Sequence, residues 1–257
     1  MIAPARPATA APGDTYAVPM LPAPDRSQGL FETLLAYAGE PVELDAHLER
    51  LGASLAALFG TAPPPTLREE IRERAKGIDL GRMRVTVDPT GAPTELRAED
   101  VDSADFFPVP ERGAALRSVP ATGGLGEHKW ADRRRLGEDP GGPVSLLLDR
   151  GDEVLEAGRA NVFVGHEGVL KTPALDGRIL PGIARAGAIA AAREAGAPVA
   201  EGPLAREEIL AADEVFLTGS VRGVEPVGDY ESTREWSQGP LTGVVSDLLR
   251  RRWEAGT

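Results

Sequence analysis

A chain of 257 residues, 42% hydrophobic and 26% charged, has the length for one large domain or two small ones and an ordinary globular composition. Its net charge of −12 argues against a general nucleic-acid binder, and the absence of cysteine removes disulfides, thiolate nucleophiles and cysteine-based metal sites. No apolar run approaches the ~20 residues of a membrane span, and the N-terminus lacks the apolar core of a signal peptide, so a cytoplasmic chain is expected.

Residues 1–28, with proline at 4, 7, 12, 19, 22 and 24, read as an irregular arm with a short strand at 15–20. Residues 29–37 read as a strand that turns at 38–40 into a hairpin partner. Asp45 is the expected N-cap of a helix over 46–59, whose Leu48, Leu51, Leu55 and Leu58 recur at helical spacing. Thr66 and Glu69 make a capping-box pattern for a second helix over 67–76. Strands follow at 81–88, 93–99 and 115–119, and Gly123, Gly124 and Gly126 mark a hinge. Beyond the hinge the pattern predicts a short helix carrying Lys129, a strand over 144–149 and another from 154 that continues through 164. A partner strand at 169–172 precedes a helix opened by Gly182 and running to 195. A short helix at 206–211, a strand at 214–218 and a helix at 244–253 complete the chain. Strands and helices mix without regular βαβ alternation, which predicts an α+β fold. Its expected parts are the arm 1–28, a small α+β domain 29–122 and a larger α/β domain 123–257.

Several chemistries have no motif here: there is no P-loop, no HExxH zinc site and no nucleophile elbow, and no metal site is expected. Three features remain. Lys129 is one of only three lysines, with Lys76 and Lys171; beside Trp130 and just before Arg133, it reads either as a reactive amine or as a surface lysine. Glu156 interrupts an apolar stretch (Val154, Leu155, Ala157), so it lies on an exposed edge or is held for a purpose. Gly182 opens a helix whose free N–H groups suit an anion, and Thr218-Gly219-Ser220 offers further donors after a strand.

Five segments occur in an order that resembles a known family: His47-Leu48-Glu49-Arg50-Leu51, then Lys129, then Glu156 with Asn161 and Phe163, then 172–185, then 213–220. The chain is identified by them as a member of the class IV (fold type IV) pyridoxal-phosphate enzymes. That family includes branched-chain and D-amino-acid aminotransferases and aminodeoxychorismate lyases. The resemblance implies a two-domain fold like that of D-amino-acid aminotransferase, with pyridoxal 5'-phosphate between the domains, and a homodimer. It implies that Lys129 is the Schiff-base lysine and that Glu156 pairs with the cofactor's ring nitrogen. It assigns Arg50, the backbone of Gly182 and Ile183, and Ser220 to the phosphate, and packs Leu180 against the ring. A threonine often follows the Gly-Ile pair in the family; here Ala184 stands there.

Within the family, the run from His128 to Arg133 and the run Ser220-Val221-Arg222-Gly223 resemble the lyases of 4-aminobenzoate and folate biosynthesis. The implied reaction is elimination of pyruvate from 4-amino-4-deoxychorismate, a small-molecule substrate. Lys129 would be the catalytic acid and base. Arg222 would meet a substrate carboxylate, or is a solvated loop cation. Thr33 would help position the substrate, or is an ordinary strand threonine. A class IV aminotransferase is the alternative, and a degenerate homologue acting as a binding subunit is a second.

Overall fold

The computed structural model describes residues 21–104, 113–136 and 141–256. The strand expected at 15–20 lies outside them. Two sheets organise the rest. The smaller has β1 (Leu30–Tyr37), β2 (Glu40–Pro41), β3 (Leu80–Val87) and β4 (Pro93–Asp100) in the order β2-β1-β3-β4. Helices α1 (Leu44–Phe59) and α2 (Leu67–Ala75) lie between β2 and β3 in the chain. They bury Leu44, Leu51, Leu55, Leu67 and Ile71 against Leu30, Leu34, Met83 and Val85. The leucine spacing therefore does place α1, although Leu48 and Leu58 are only partly buried.

One expected helix cap is replaced, and the other keeps its position without its side-chain bond. Glu43, in a left-handed conformation with φ 55°, is the N-cap of α1, so Asp45 falls inside the first turn, and its carboxylate pairs with Arg68 instead. Thr66 precedes α2 in a helical conformation and makes no side-chain cap bond. A side-chain cap needs an extended backbone at its own residue, and Thr66 does not supply it.

The larger sheet takes β5 (Ala114–Pro120), β6 (Val144–Leu148), β7 (Glu153–Ala157), β8 (Asn161–His166), β9 (Val169–Thr172), β10 (Val199–Glu201), β11 (Leu204–Ala205), β12 (Glu214–Gly219) and β13 (Gly223–Tyr230). Their order is β10-β9-β8-β12-β13-β5-β6-β7-β11, and β14 (Arg234–Glu235) pairs with β13. Strand pairing thus changes sheets between β4 and β5, upstream of the glycine hinge. Residues 154–164 do not form one strand: the chain turns at Gly158-Arg159, and β7 and β8 pair with different neighbours. Pro226 lies within β13, which is why an alternation reading passes over that strand. Side chains from β6, β7, β8 and β12 still meet in a single core (Leu146, Val154, Val162, Leu217), so the sheet curls around it.

Helices α3 (Ile183–Glu194) and α5 (Pro240–Ala255) cover the outer face around Phe163 and Phe216, whose rings stack 5.0 Å apart, while α4 (Arg206–Ala211) packs Ile209 into the inner core. Leu35 of the small sheet and Val42, just past β2, join the α3/α5 core, which fixes the two sheets against each other. The fold is the α+β, type IV arrangement expected. No helix among the described residues is long and apolar enough to cross a membrane.

Candidate active site

A cleft of about 400 Å³ opens between the two sheets. Its small-sheet wall follows from strand alternation. In the β1–β3 register Phe31 faces Thr86, Thr33 faces Arg84 and Leu35 faces Arg82, so these side chains share one face. Phe31, Thr33, Arg82 and Arg84 line the cleft. Glu32 and Leu34 point the other way, toward α1.

Lys129 reaches the cleft from an extended segment, and the helix expected there is absent. Phe31 N–H donates to Lys129 O at 3.0 Å, Ala131 N–H donates to Gly29 O at 3.0 Å, and Trp130 bridges to Leu30. Pairing with β1 occupies the backbone groups that a helix would have used. Extended backbone also sends neighbours to opposite sides: Trp130 packs into the small core edge-on to Phe59, while Lys129 Nζ lies 4.8 Å from the centroid of the Phe31 ring. The glycine run at 123–126 has a local reason: Gly124 has φ 68°, and a Cβ there would sit 2.1 Å from Arg178 O.

Lys129 is half-buried as a residue, with its amine deep among protein atoms. Burial, helped by the cations of Arg50 and Arg133 against the opposing Glu32 and Glu156, pushes its pKa down to about 7. Glu156 on β7 is buried, which pushes its carboxyl up to about 8. Its Oε2 accepts from Leu180 N–H at 3.2 Å and Asn161 Nδ2 at 3.4 Å, and its Oε1 is buried with no hydrogen-bond partner.

Arg50 projects from α1 between the walls. Its Nε and Nη2 donate to Glu32 at 2.8 and 2.6 Å, and Nη1 donates to Pro181 O at 2.9 Å. Glu32 also bonds His47 Nδ1 at 2.8 Å. A guanidinium has five N–H donors, so Nη1 and Nη2 each keep one for a further acceptor. Beside it Gly182 is the N-cap of α3, as expected, with no side-chain cap. A Cβ on Gly182 would meet Asn161 Oδ1 at 2.0 Å, so only glycine lets the helix start sit here. Leu180, Gly182, Ile183 and Ser220 line the cleft, as does Thr218, whose buried hydroxyl makes no hydrogen bond.

The cleft thus gathers Lys129, Glu156, Arg50, Leu180, Gly182, Ile183, Ser220, Thr33 and Arg222, all nine residues singled out from the sequence. Two features were not. Glu32 carries the Arg50 ion pair, and the signal that marked Glu156, a carboxylate in an apolar run, was present between Phe31 and Leu34 as well. Arg159 lines the cleft from the β7–β8 turn, a corner that the sequence reading ran through as continuous strand.

The class IV aminotransferase family model matches residues 29–113 and 129–230. A Methanocaldococcus jannaschii protein assigned provisionally as a branched-chain-amino-acid aminotransferase is 41% identical, covering 88% of this chain and 86% of its own. The aminodeoxychorismate lyase of Bacillus subtilis is 28% identical, covering 87% and 85%. The crystal structure of 4-amino-4-deoxychorismate lyase from Pseudomonas aeruginosa superposes with a TM-score of 0.67 at 27% identity, covering 91% and 96%. The chain belongs to the class IV aminotransferase family, whose cofactor is pyridoxal phosphate.

The residues present fit that group. An amine with a depressed pKa suits an aldehyde, the unpartnered Glu156 Oε1 suits a protonated ring nitrogen, and Arg50 with the α3 N-terminus suits a phosphate.

Proposed function

We propose that this enzyme is a 4-amino-4-deoxychorismate lyase that releases pyruvate and leaves 4-aminobenzoate. The observation that carries the reading is charge. In a protein of net charge −12, the cleft is lined by Arg50, Arg82, Arg84, Arg133, Arg159 and Arg222, several of them paired with carboxylates behind its walls (Arg50 with Glu32, Arg82 with Glu99, Arg84 with Glu95, Arg159 with Glu225). With Arg50 assigned to a phosphate, guanidinium donors still line both walls, an arrangement suited to a ring bearing two carboxylates. Phe31, buried at the cleft wall, gathers cations around its ring, with Arg84 4.0 Å, Lys129 4.8 Å and Arg133 5.8 Å from its centroid. Similarity to the lyases of Bacillus subtilis and Pseudomonas aeruginosa supports the same choice.

In this reading Lys129 would hold the cofactor's aldehyde, Glu156 would keep a proton at its ring nitrogen, and Leu180 would pack on its ring. Arg50, the Gly182 and Ile183 N–H groups and Ser220 would hold its phosphate. Bound pyridoxal phosphate supplies an electron sink that acidifies the substrate's amine-bearing carbon. Released Lys129 Nζ, which at a pKa of about 7 exchanges protons near neutrality, takes the proton from that carbon. The neighbouring carbon–oxygen bond breaks, the ring becomes aromatic, and the proton passes to the departing enolpyruvate, which becomes pyruvate. Arg84 and Arg222 bind carboxylates, and the Thr33 hydroxyl, opposite Arg84 in the sheet, orients the ring. The working form is a cytoplasmic homodimer.

A second reading, aminotransfer to a keto acid, is favoured by the 41% identity to the provisionally assigned branched-chain enzyme. Incubation with aminodeoxychorismate, followed by pyruvate measurement with lactate dehydrogenase, tests the first reading. Glutamate formed from branched-chain or D-amino acids and 2-oxoglutarate, with no pyruvate from aminodeoxychorismate, would establish the second.

A further inference from the structure

Residues 178–182 belong to no helix or strand, so individual bonds rather than a ladder set their place. Leu180 N–H donates to Glu156 Oε2 at 3.2 Å, Asn161 Nδ2 donates to Leu180 O at 3.0 Å, and Arg50 Nη1 donates to Pro181 O at 2.9 Å. Gly126, just upstream of Lys129, donates its N–H to Arg178 O at 3.1 Å. Ile179, 1% exposed, packs with Ala121, Leu147 and Leu155. One short strap thus touches Glu156, Arg50 and the segment leading to Lys129.

Arg178 forms the outer end of the strap and is not among the residues lining the cleft. Its Nη1 and Nη2 each lie 2.7 Å from an oxygen of Glu153, at the start of β7. Nη1 also donates to Asp149 Oδ2 at 3.0 Å, and Nε and Nη2 donate to Asp176 Oδ2 at 2.8 and 2.6 Å. Asp149 in turn accepts from the backbone N–H of Gly123, at the far end of the glycine run. The Arg178 side chain is 30% exposed, so water screens its charge and the ion pairs add little to overall stability. What the fork supplies is position. Glu153 and Glu156 share β7, so the grip on the first sets where the strap runs past the second. A shifted strap would take the Leu180 N–H off Glu156 Oε2, and the carboxyl would turn to recover a partner. Oε1 would then no longer be the one oxygen left without a partner.

We infer that Arg178 is a positioning residue for the cofactor. By gripping Glu153 and Asp149 outside the cleft, it fixes the strap 178–182, and through the strap the aim of Glu156 at the ring nitrogen and the course of the segment that carries Lys129. The inference rests on the reading that the cleft holds pyridoxal phosphate at Lys129.

Arg178→Ala tests it with and without cofactor. In cofactor-free protein, amide exchange followed by NMR should run about tenfold faster at Leu180 and Gly126, and should be unchanged at Phe163 and Phe216 in the outer core, which a general loss of stability would also speed. With pyridoxal phosphate, the dissociation constant should rise about tenfold, as loss of one hydrogen bond to a charged group gives. Nitrogen NMR of ring-labelled cofactor at neutral pH should then show the ring nitrogen losing its proton. Arg178→Lys keeps the charge but not the fork; it should raise the dissociation constant about threefold, and it carries the test if the alanine variant does not fold. Equal acceleration at all four amides, or a dissociation constant and ring-nitrogen signal unchanged in the variants, overturns the inference and leaves the cofactor reading standing. A wild-type protein that does not bind pyridoxal phosphate overturns the cofactor reading itself, and the inference with it.

Discussion

Glu32 and Glu156 are both strand carboxylates beside the same cleft, 2% and 3% exposed, and their acidities move in opposite directions. Burial raises both. At Glu32 it is overcome by the hydrogen bond from His47 and by the Arg50 guanidinium, which hold the carboxyl down at about 2. At Glu156 the compensation is one long backbone bond and more distant cations, and the carboxyl rises to about 8. The difference separates an acid whose partners are built into the fold from one with an oxygen still lacking a partner. The first fixes Arg50; the second is suited to a protonated ring nitrogen.

The largest expected effect lies outside both acids and bears on what they surround. Lys129→Ala should lower turnover by about four orders of magnitude, since it removes both the attachment point and the proton carrier. Steady-state assay together with cofactor absorbance measures it. The comparison itself is sharpest in stability. Glu32→Ala strands the buried Arg50 charge and should cost about 3–5 kcal/mol in urea unfolding, whereas Glu156→Gln should cost less than about 1 kcal/mol. A similar loss in both would erase the distinction. In turnover the order reverses: Glu156→Gln keeps the shape but not the charge at the ring nitrogen and should slow the loaded enzyme about a hundredfold.

The smallest effect is a slope. In cofactor-free protein burial pushes the Glu156 carboxyl up to about 8, against an ordinary value of 4.5 in the unfolded chain. Between those values the folded state holds a proton that the unfolded state has lost, so stability from this group falls as pH rises. Lys129, about 7 folded against 10.5 unfolded, acts in the opposite sense above pH 7. From pH 5 to 7, therefore, Glu156→Gln should remove a decline of about 1 kcal/mol per pH unit, seen by urea unfolding at the two pH values.

The sequence carried the site better than the path of the chain to it. Lys129, Glu156 and Gly182 were legible because each combines an unusual residue with a local setting: a rare lysine, a carboxylate among apolar residues, a glycine at a helix start; Ser220 stood out only in a donor cluster after a strand, and Arg50 only through the resemblance to the family. What escaped was decided by distant partners. The segment at Lys129 is extended because β1 offers it a backbone edge, and nothing within 127–133 records that edge. The corner at Gly158-Arg159 depends on β7 and β8 joining different neighbours, so Arg159 and its partner Glu225, 66 positions away, could not be linked by local pattern.

Borohydride reduction of the pyridoxal-phosphate-loaded protein, followed by peptide mapping, tests the central claim most directly. A single pyridoxyl label on Lys129 is the expected result. A label on Lys76 or Lys171, or no label after loading, would contradict it.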